Sequence, residues 1–124
     1  MSYIQIINQT RKETKPILAK YCQSFFCQFR GLMFTKSLPA QQGLLLVQGS
    51  DGRINSSIHT MFMWMDLAII WINSGYIVVD VVLAQRWKLA YLPKQPAKYV
   101  LETNVSNLGD FNIGDKVYFD EKHS

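Results

Sequence analysis

SIHTMFMWMDLAIIWINSGYIVVDVVLA, residues 57–84, is the most apolar stretch of the chain and the richest in aromatic and β-branched residues. A membrane-spanning helix needs about 20 mostly apolar residues with few or no charges, and residues 67–84 are long enough to raise that possibility. Three features point instead to a hairpin. Asn73-Ser74-Gly75 is a turn cluster in the middle of the run, where a helix is weakened and a chain reversal is favoured. Asp66 and Asp80 would put carboxylates into hydrocarbon, at about 2.5–3.5 kcal/mol each. Ile69 to Ile72 and Tyr76 to Val82 are dominated by strand formers. The stretch therefore predicts two or three paired strands in the middle of a β-rich domain. Both hairpin arms are apolar on both faces, which suits central strands of a closed or covered sheet rather than an exposed edge.

Working outward, 124 residues suit a single domain over 1–124, large enough for a core without staples. The composition, 48% hydrophobic and 18% charged, excludes disorder as the default. The net charge of +4 is mild and its basic residues are scattered: Arg11, Lys12 and Lys15 form the one cluster, with Glu13 among them. A nucleic-acid groove would show a denser stripe with interleaved aromatics, so no nucleic-acid partner is expected. Cys22 and Cys27 match neither a CxxC redox motif nor half of a zinc site. At a strand end and on a helix they could approach, but nothing requires a bridge, and buried free thiols are the simpler reading. The first ten residues lack the charged-then-apolar layout of a signal peptide. These features together place the protein in the reducing cytoplasm, with no membrane span.

Before the central stretch, residues 3–7 are β-prone, Pro16 can open a second, antiparallel strand ending at Cys22, and Ser24 is placed to cap a helix through Arg30. Phe25, Phe29 and Leu32 share one helical face, and Gly31 can end the helix. Residues 43–47 read as a short apolar strand and Gly49-Ser50-Asp51-Gly52 as a loop. After the central stretch, residues 86–95 are irregular, residues 99–103 alternate as a strand, and residues 104–112 form a turn or one helical turn. Ile113-Gly114-Asp115 turns into a last strand over 116–119, and residues 120–124 are expected to fray.

Little in the chain spells out chemistry. There is no Gly-rich phosphate loop, and only two histidines, one of them in the tail. No ligand spacing supports a metal at His59, and no cofactor is implied. A Cys–His pair would need an activated thiol that nothing in the sequence indicates. Asp66 and Asp80 sit on the two hairpin arms, where one reading brings them near each other across strands; the structural alternative gives one a sheet end and the other a backbone or arginine hydrogen bond. Arg30 follows a phenylalanine-rich helix. It can cap helix carbonyls, pair with a buried acid such as Asp80 or Glu102, or bind an anion. The three tryptophans, with Met61, Met63, Met65, Tyr76 and Tyr91, exceed what a small core hides easily, so a few exposed ones would make a partner or ligand face.

Several blocks in order resemble one family. Phe29-Arg30-Gly31-Leu32-Met33-Phe34, Gly43-Leu44-Leu45-Leu46-Val47, Ser57-Ile58-His59-Thr60-Met61-Phe62-Met63, Val100-Leu101-Glu102 and Gly114-Asp115 look like the successive motifs of the family called domain of unknown function 192. The likeness spans residues 8–119. It implies an α+β, β-dominated fold: a compact, barrel-like, mostly antiparallel sheet with one main short helix at about residues 24–33. It implies no catalytic residues and no cofactor. The matching polar positions Arg30, His59, Glu102 and Asp115 become candidates for a shared pocket. One block departs from the pattern: Asp66 stands at the family's proline and Ala68 at its acid, so Asp66 joins the candidates as a displaced carboxylate. The expected function is a small non-enzymatic binding or interaction module with a protein or small-molecule partner. The alternative is a ligand-binding protein or enzyme using Arg30, His59 and a nearby carboxylate, which requires these groups to converge in a cleft of roughly 300 Å3 or more.

Overall fold

Strands that are apolar on both faces must be covered on both, and the chain does this by curling one sheet around a core and laying its connections on the outside. The computed structural model describes residues 2–33 and 35–123, with the backbone alone at positions 2, 25, 26, 29, 122 and 123. The elements are β1 (Ser2–Asn8), β2 (Ile17–Cys22), α1 (Phe25–Arg30), β3 (Gln42–Gly52), β4 (Leu67–Ile72), β5 (Val78–Ala84), β6 (Ala97–Asn104), a 3-10 helix (Val105–Asp110) and β7 (Val117–His123). The strands form one seven-stranded sheet in the order β5-β4-β6-β3-β2-β1-β7. Every pairing is antiparallel except β2 with β3. The sheet curls into a half-barrel, the β-dominated α+β architecture that the family likeness implied. Its two edges meet at one end, where Ile77 bridges Lys116 and the Val78 N–H donates to the Asp115 carbonyl at 2.9 Å.

Period-two alternation sorts the side chains into two cores. Ala68, Ile70 and Ile72 of β4 join residues from all six other strands inside the curl, with Phe111 among them. Leu67, Ile69 and Trp71 face outward and are covered by Ile58 and Met63 from the connection between β3 and β4. All six residues of β4 are buried, so this arm is a central strand. The Trp71 indole N–H donates to the Ser56 carbonyl at 2.8 Å, which pins that connection to the sheet. The Asn73 side chain closes the predicted hairpin turn, accepting from the N–H groups of Gly75 and Ile77, each at 3.0 Å. Among the described residues no helix is long and apolar enough to cross a membrane.

Four expectations change. The second hairpin arm, β5, lies at the edge of the sheet rather than in its middle, and three of its seven residues are buried, compared with all six of β4. β3 does not stop at Val47; it runs on to Gly52 through a register shift, so the expected loop at 49–52 is strand. Residues 120–123, expected to fray, continue β7 in register with β1. Cys22 and Cys27 are not free thiols: the end of β2 and the first turn of α1 bring their Cα atoms to 5.8 Å and they form a disulfide. Such bonds persist in oxidising compartments and in intracellular proteins of hyperthermophiles.

β3 and β6 approach each other closely at Gly43. A Cβ there would lie 2.6 Å from the Glu102 carbonyl and 3.2 Å from the Leu101 and Thr103 side chains. Neither strand can yield, because each is paired on its other side as well. Gly43→Ala is expected to lower stability by about 1–3 kcal/mol in urea denaturation. Gly49→Ala, where a Cβ meets open space, should stay within about 0.5 kcal/mol of wild type.

Candidate functional site

The alternation that buries β6 leaves one acid on its outward face. Glu102 lies opposite Leu44 of β3 and Ile69 of β4, with Val100 on the same face of its own strand. Its neighbours along the ladder are therefore hydrocarbon. It is 2% exposed, its Oε1 has no hydrogen-bond partner, and no ion pair reaches it among the described residues. Burial pushes its carboxyl up to about 8, because the charged form loses its water and gains nothing in return.

Above this carboxyl sits α1. The Ser24 hydroxyl accepts from the Cys27 N–H at 3.1 Å, capping the helix where the sequence predicted. The helix ends at Gly31, whose φ of 51° takes the left-handed region and whose N–H returns to the Cys27 carbonyl at 2.8 Å. A Cβ at Gly31 would come to 3.4 Å from Glu102 Oε1, so glycine keeps the roof close over the acid. Two ties hold α1 to the sheet: the Cys22–Cys27 disulfide, and Gln28, whose side-chain amide donates to the Val47 carbonyl at 2.7 Å and accepts from Gln48 at 2.9 Å.

The opposite wall is the segment around Ile58 and His59. Ile58 makes an isolated antiparallel bridge with Tyr91. The Thr60 hydroxyl donates to the Gln85 carbonyl at 2.6 Å and accepts from the Lys88 N–H at 2.8 Å. His59 is half-buried, and its Nδ1 accepts from the Met61 N–H at 3.2 Å. Between roof and wall lies a cleft of about 360 Å3, bounded by Arg30, Gly31, Leu46, His59, Met63 and Glu102 among others.

Three of the five candidate residues thus share one cleft, and two lie elsewhere. Asp66 takes the backbone N–H and the Nε–H of Arg86, both at 3.0 Å, and these hold its carboxyl below the usual carboxylate range. Asp115 accepts from the Asn8 side chain at 2.8 Å and the Asn112 N–H at 2.9 Å, as a buried tie near the place where the sheet edges meet. Asp80 does not face Asp66; it sits opposite Trp71 and accepts from the Val81 and Lys94 N–H groups. Arg30 makes no ion pair with Asp80 or Glu102; its guanidinium is exposed at the mouth of the cleft. Among the described residues no group of three or more His, Cys, Asp or Glu could hold a metal ion. Sequence reasoning missed Gln28 and Gln48, and polar residues on a short helix and a strand end carry no signal that would single them out.

The aromatic surplus is divided. Trp71 and Met63 are core, whereas Phe62, Trp64 and Trp87 are exposed and meet edge-to-face, with ring centroids 5.2 and 5.9 Å apart for the two pairs with Trp87. Phe62 and Trp87 both hold positive φ, an uncommon state for bulky side chains.

The buried acid has a pH signature of determined sign. Between its ordinary value of 4.5 and about 8, Glu102 is ionised in the unfolded chain and protonated in the folded one. Its contribution is full below pH 4.5, falls as pH rises towards 8, and is flat beyond, by a few kcal/mol in all. Glu102→Gln is expected to remove this decline and to melt several degrees above wild type at pH 8. Calorimetric melts from pH 5 to 9 read the difference, and parallel curves for the two proteins would contradict the assignment.

Comparison with known proteins bears on the family and the fold. The model of the DUF192 family, described as "Uncharacterized ACR", matches residues 6–119. A UPF0127 protein of Thermococcus sibiricus is 36% identical over 114 residues, which cover 90% of this chain and 72% of that protein. A second UPF0127 protein, from Pyrococcus furiosus, is 35% identical over 97 residues, covering 78% of this chain and 80% of its own length. A crystal structure of a Sinorhizobium meliloti 1021 protein, provisionally named a transcription regulator, superposes with a TM-score of 0.81 over 96% of this chain and 94% of that one at 18% identity, a likeness of fold alone. With its motifs in order, its half-barrel and a family match across nearly its whole length, the chain belongs to the DUF192 family.

Proposed function

We propose that this protein is a small-molecule-binding module whose ligand seats in the cleft between α1 and the segment around His59, with Glu102 at its floor and Arg30 at its mouth. One observation carries the reading: Glu102 Oε1 is buried and has no hydrogen-bond partner, and the cleft beside it is large enough for a metabolite. A buried polar atom without a partner costs roughly 1–3 kcal/mol, and a ligand that reaches it removes that cost. The lining favours binding over catalysis. The Ser57 hydroxyl donates to the Ile54 carbonyl at 2.7 Å, both cysteines are tied in a disulfide, and Glu102 is the one acid lining the cleft among the described residues. A nucleophile with its base, or a pair of acids, is what hydrolysis or group transfer would call for.

A second reading, a docking face for another protein, draws on the exposed Phe62, Trp64 and Trp87 beside Leu89, which is 81% exposed. It concerns a different surface and is compatible with the first.

The test is a thermal-shift screen of metabolites, metals and anions on wild type, Arg30→Ala and Glu102→Gln. A ligand at a hundred times its Kd stabilises by about 2.7 kcal/mol, a shift of several degrees for a domain of this size. The expected result is a hit that loses most of its shift in Glu102→Gln and weakens in Arg30→Ala, with both variants folded. Hits indifferent to both substitutions, or a blank screen, overturn the reading.

A further inference from the structure

The cleft presents opposite charge characters at its two ends. At the floor is the Glu102 carboxyl, walled by Leu44 and Ile69 across the ladder, with Oε1 unpartnered. A glutamine at this position would offer a donor and an acceptor with no titration cost. What a carboxyl adds is the capacity for a full negative charge, which only a cation rewards. Among the described residues no cation takes that role: the ion pairs join Arg11 with Glu13 and Arg86 with Asp66. At the mouth is the Arg30 guanidinium, exposed and outside both of those pairs. Its fork of N–H donors matches a carboxylate. Between the two ends the lining is mixed: Leu46, Ile58 and Met63 supply an apolar side, and Gln28, Gln48, Asn55, Ser57 and His59 supply polar groups.

Resting on the reading of this cleft as a small-molecule site, we propose that its ligands are small zwitterions of the amino-acid type, with the ammonium group on Glu102 and the carboxylate on Arg30. The apolar side of the lining takes an aliphatic side chain, and a volume of about 360 Å3 accommodates a ligand of that size. The titratable and charged groups facing Glu102 are few. α1 contributes Arg30, the segment opposite contributes His59, and β3 and β4 contribute only hydrocarbon at Leu44, Leu46 and Ile69. Seating an ammonium ion requires the carboxylate form, so the proton held on Glu102 below about pH 8 leaves to solvent as the ligand enters. Affinity then rises about tenfold per pH unit between pH 6 and 7.5 and levels off above 8.

Titration calorimetry with L-leucine, L-methionine and L-valine tests this, followed by the N-acetyl and amide derivatives of the tightest binder. Binding is expected to release close to one proton at pH 6.5, read as an enthalpy that varies with the buffer. The N-acetyl derivative, which lacks the ammonium, should bind at least tenfold more weakly. Glu102→Gln should lose both the affinity and its pH slope. Arg30→Ala, a surface change that leaves the core intact, should weaken the free amino acid tenfold or more but leave the amide derivative unchanged. An N-acetyl derivative that binds as tightly as the parent, an affinity independent of pH, or no binding by any of the three amino acids overturns the proposal. If the metabolite screen still yields a Glu102-dependent ligand of another charge type, the cleft reading survives and the zwitterion falls alone. If that screen is blank as well, both fall.

Discussion

The pairing of β6 with both β3 and β4 is the constraint on which the rest of the structure depends. It puts Ala97–Asn104 in the middle of the sheet with a covered face on each side. It also fixes the register, and in a strand a slip of one residue exchanges the two faces. Such a slip would send Glu102 into the mainly apolar interior of the curl and push Leu101 towards the cleft. Leu44 and Ile69 as neighbours hold Glu102 where it is, and Gly43, by lacking a side chain, lets β3 come close enough to do so. The odd chemistry of the acid is thus a result of the ladder. The strands that bury it are each paired on both sides, and they leave its side chain one direction to face.

The roof is built by a different logic. α1 has only six residues and too few turns to be stable by itself. It is held by its Ser24 cap, by the bond between Cys22 and Cys27, and by the bridging amide of Gln28. These ties set the height of Gly31 above Glu102 and leave the Arg30 side chain at the rim, outside the ion pairs found among the described residues. A floor fixed by strands and a roof fixed by a few side-chain ties is an arrangement that can hold polar groups in place without filling the space between them.

What could be read from the chain follows from the range of the forces involved. Local signals were legible: the Asn73-Ser74-Gly75 reversal, the Ser24 cap and the Gly31 stop all act within four residues of where they sit. Long-range choices were not. The two hairpin arms look alike in sequence, yet β4 gains β6 as a second partner and β5 does not, and nothing within either arm encodes that. The charged run after Phe119 looked like a solvated tail; a sheet edge tolerates charges, and its backbone pairs with β1 all the same. The disulfide depended on the angle at which α1 leaves β2, which spacing alone does not give. For the site, family likeness assembled Arg30, His59 and Glu102 from three separate segments. It could not tell them from Asp115, and the displaced-proline argument could not exclude Asp66. Those two carboxylates are spent on Asn8, Asn112 and Arg86, partners visible only in three dimensions.

The parallel pairing of β2 with β3 has a consequence for how the cleft is covered. Strands that run the same way cannot be joined by a tight reversal, so the chain must travel back along the sheet, and residues 23–41 make that journey. That journey passes over the cleft and sets Arg30 and Gly31 above Glu102. The return path that a parallel pair obliges the chain to take is therefore also the cover of the site, and a tight reversal in its place would leave the carboxyl open to water.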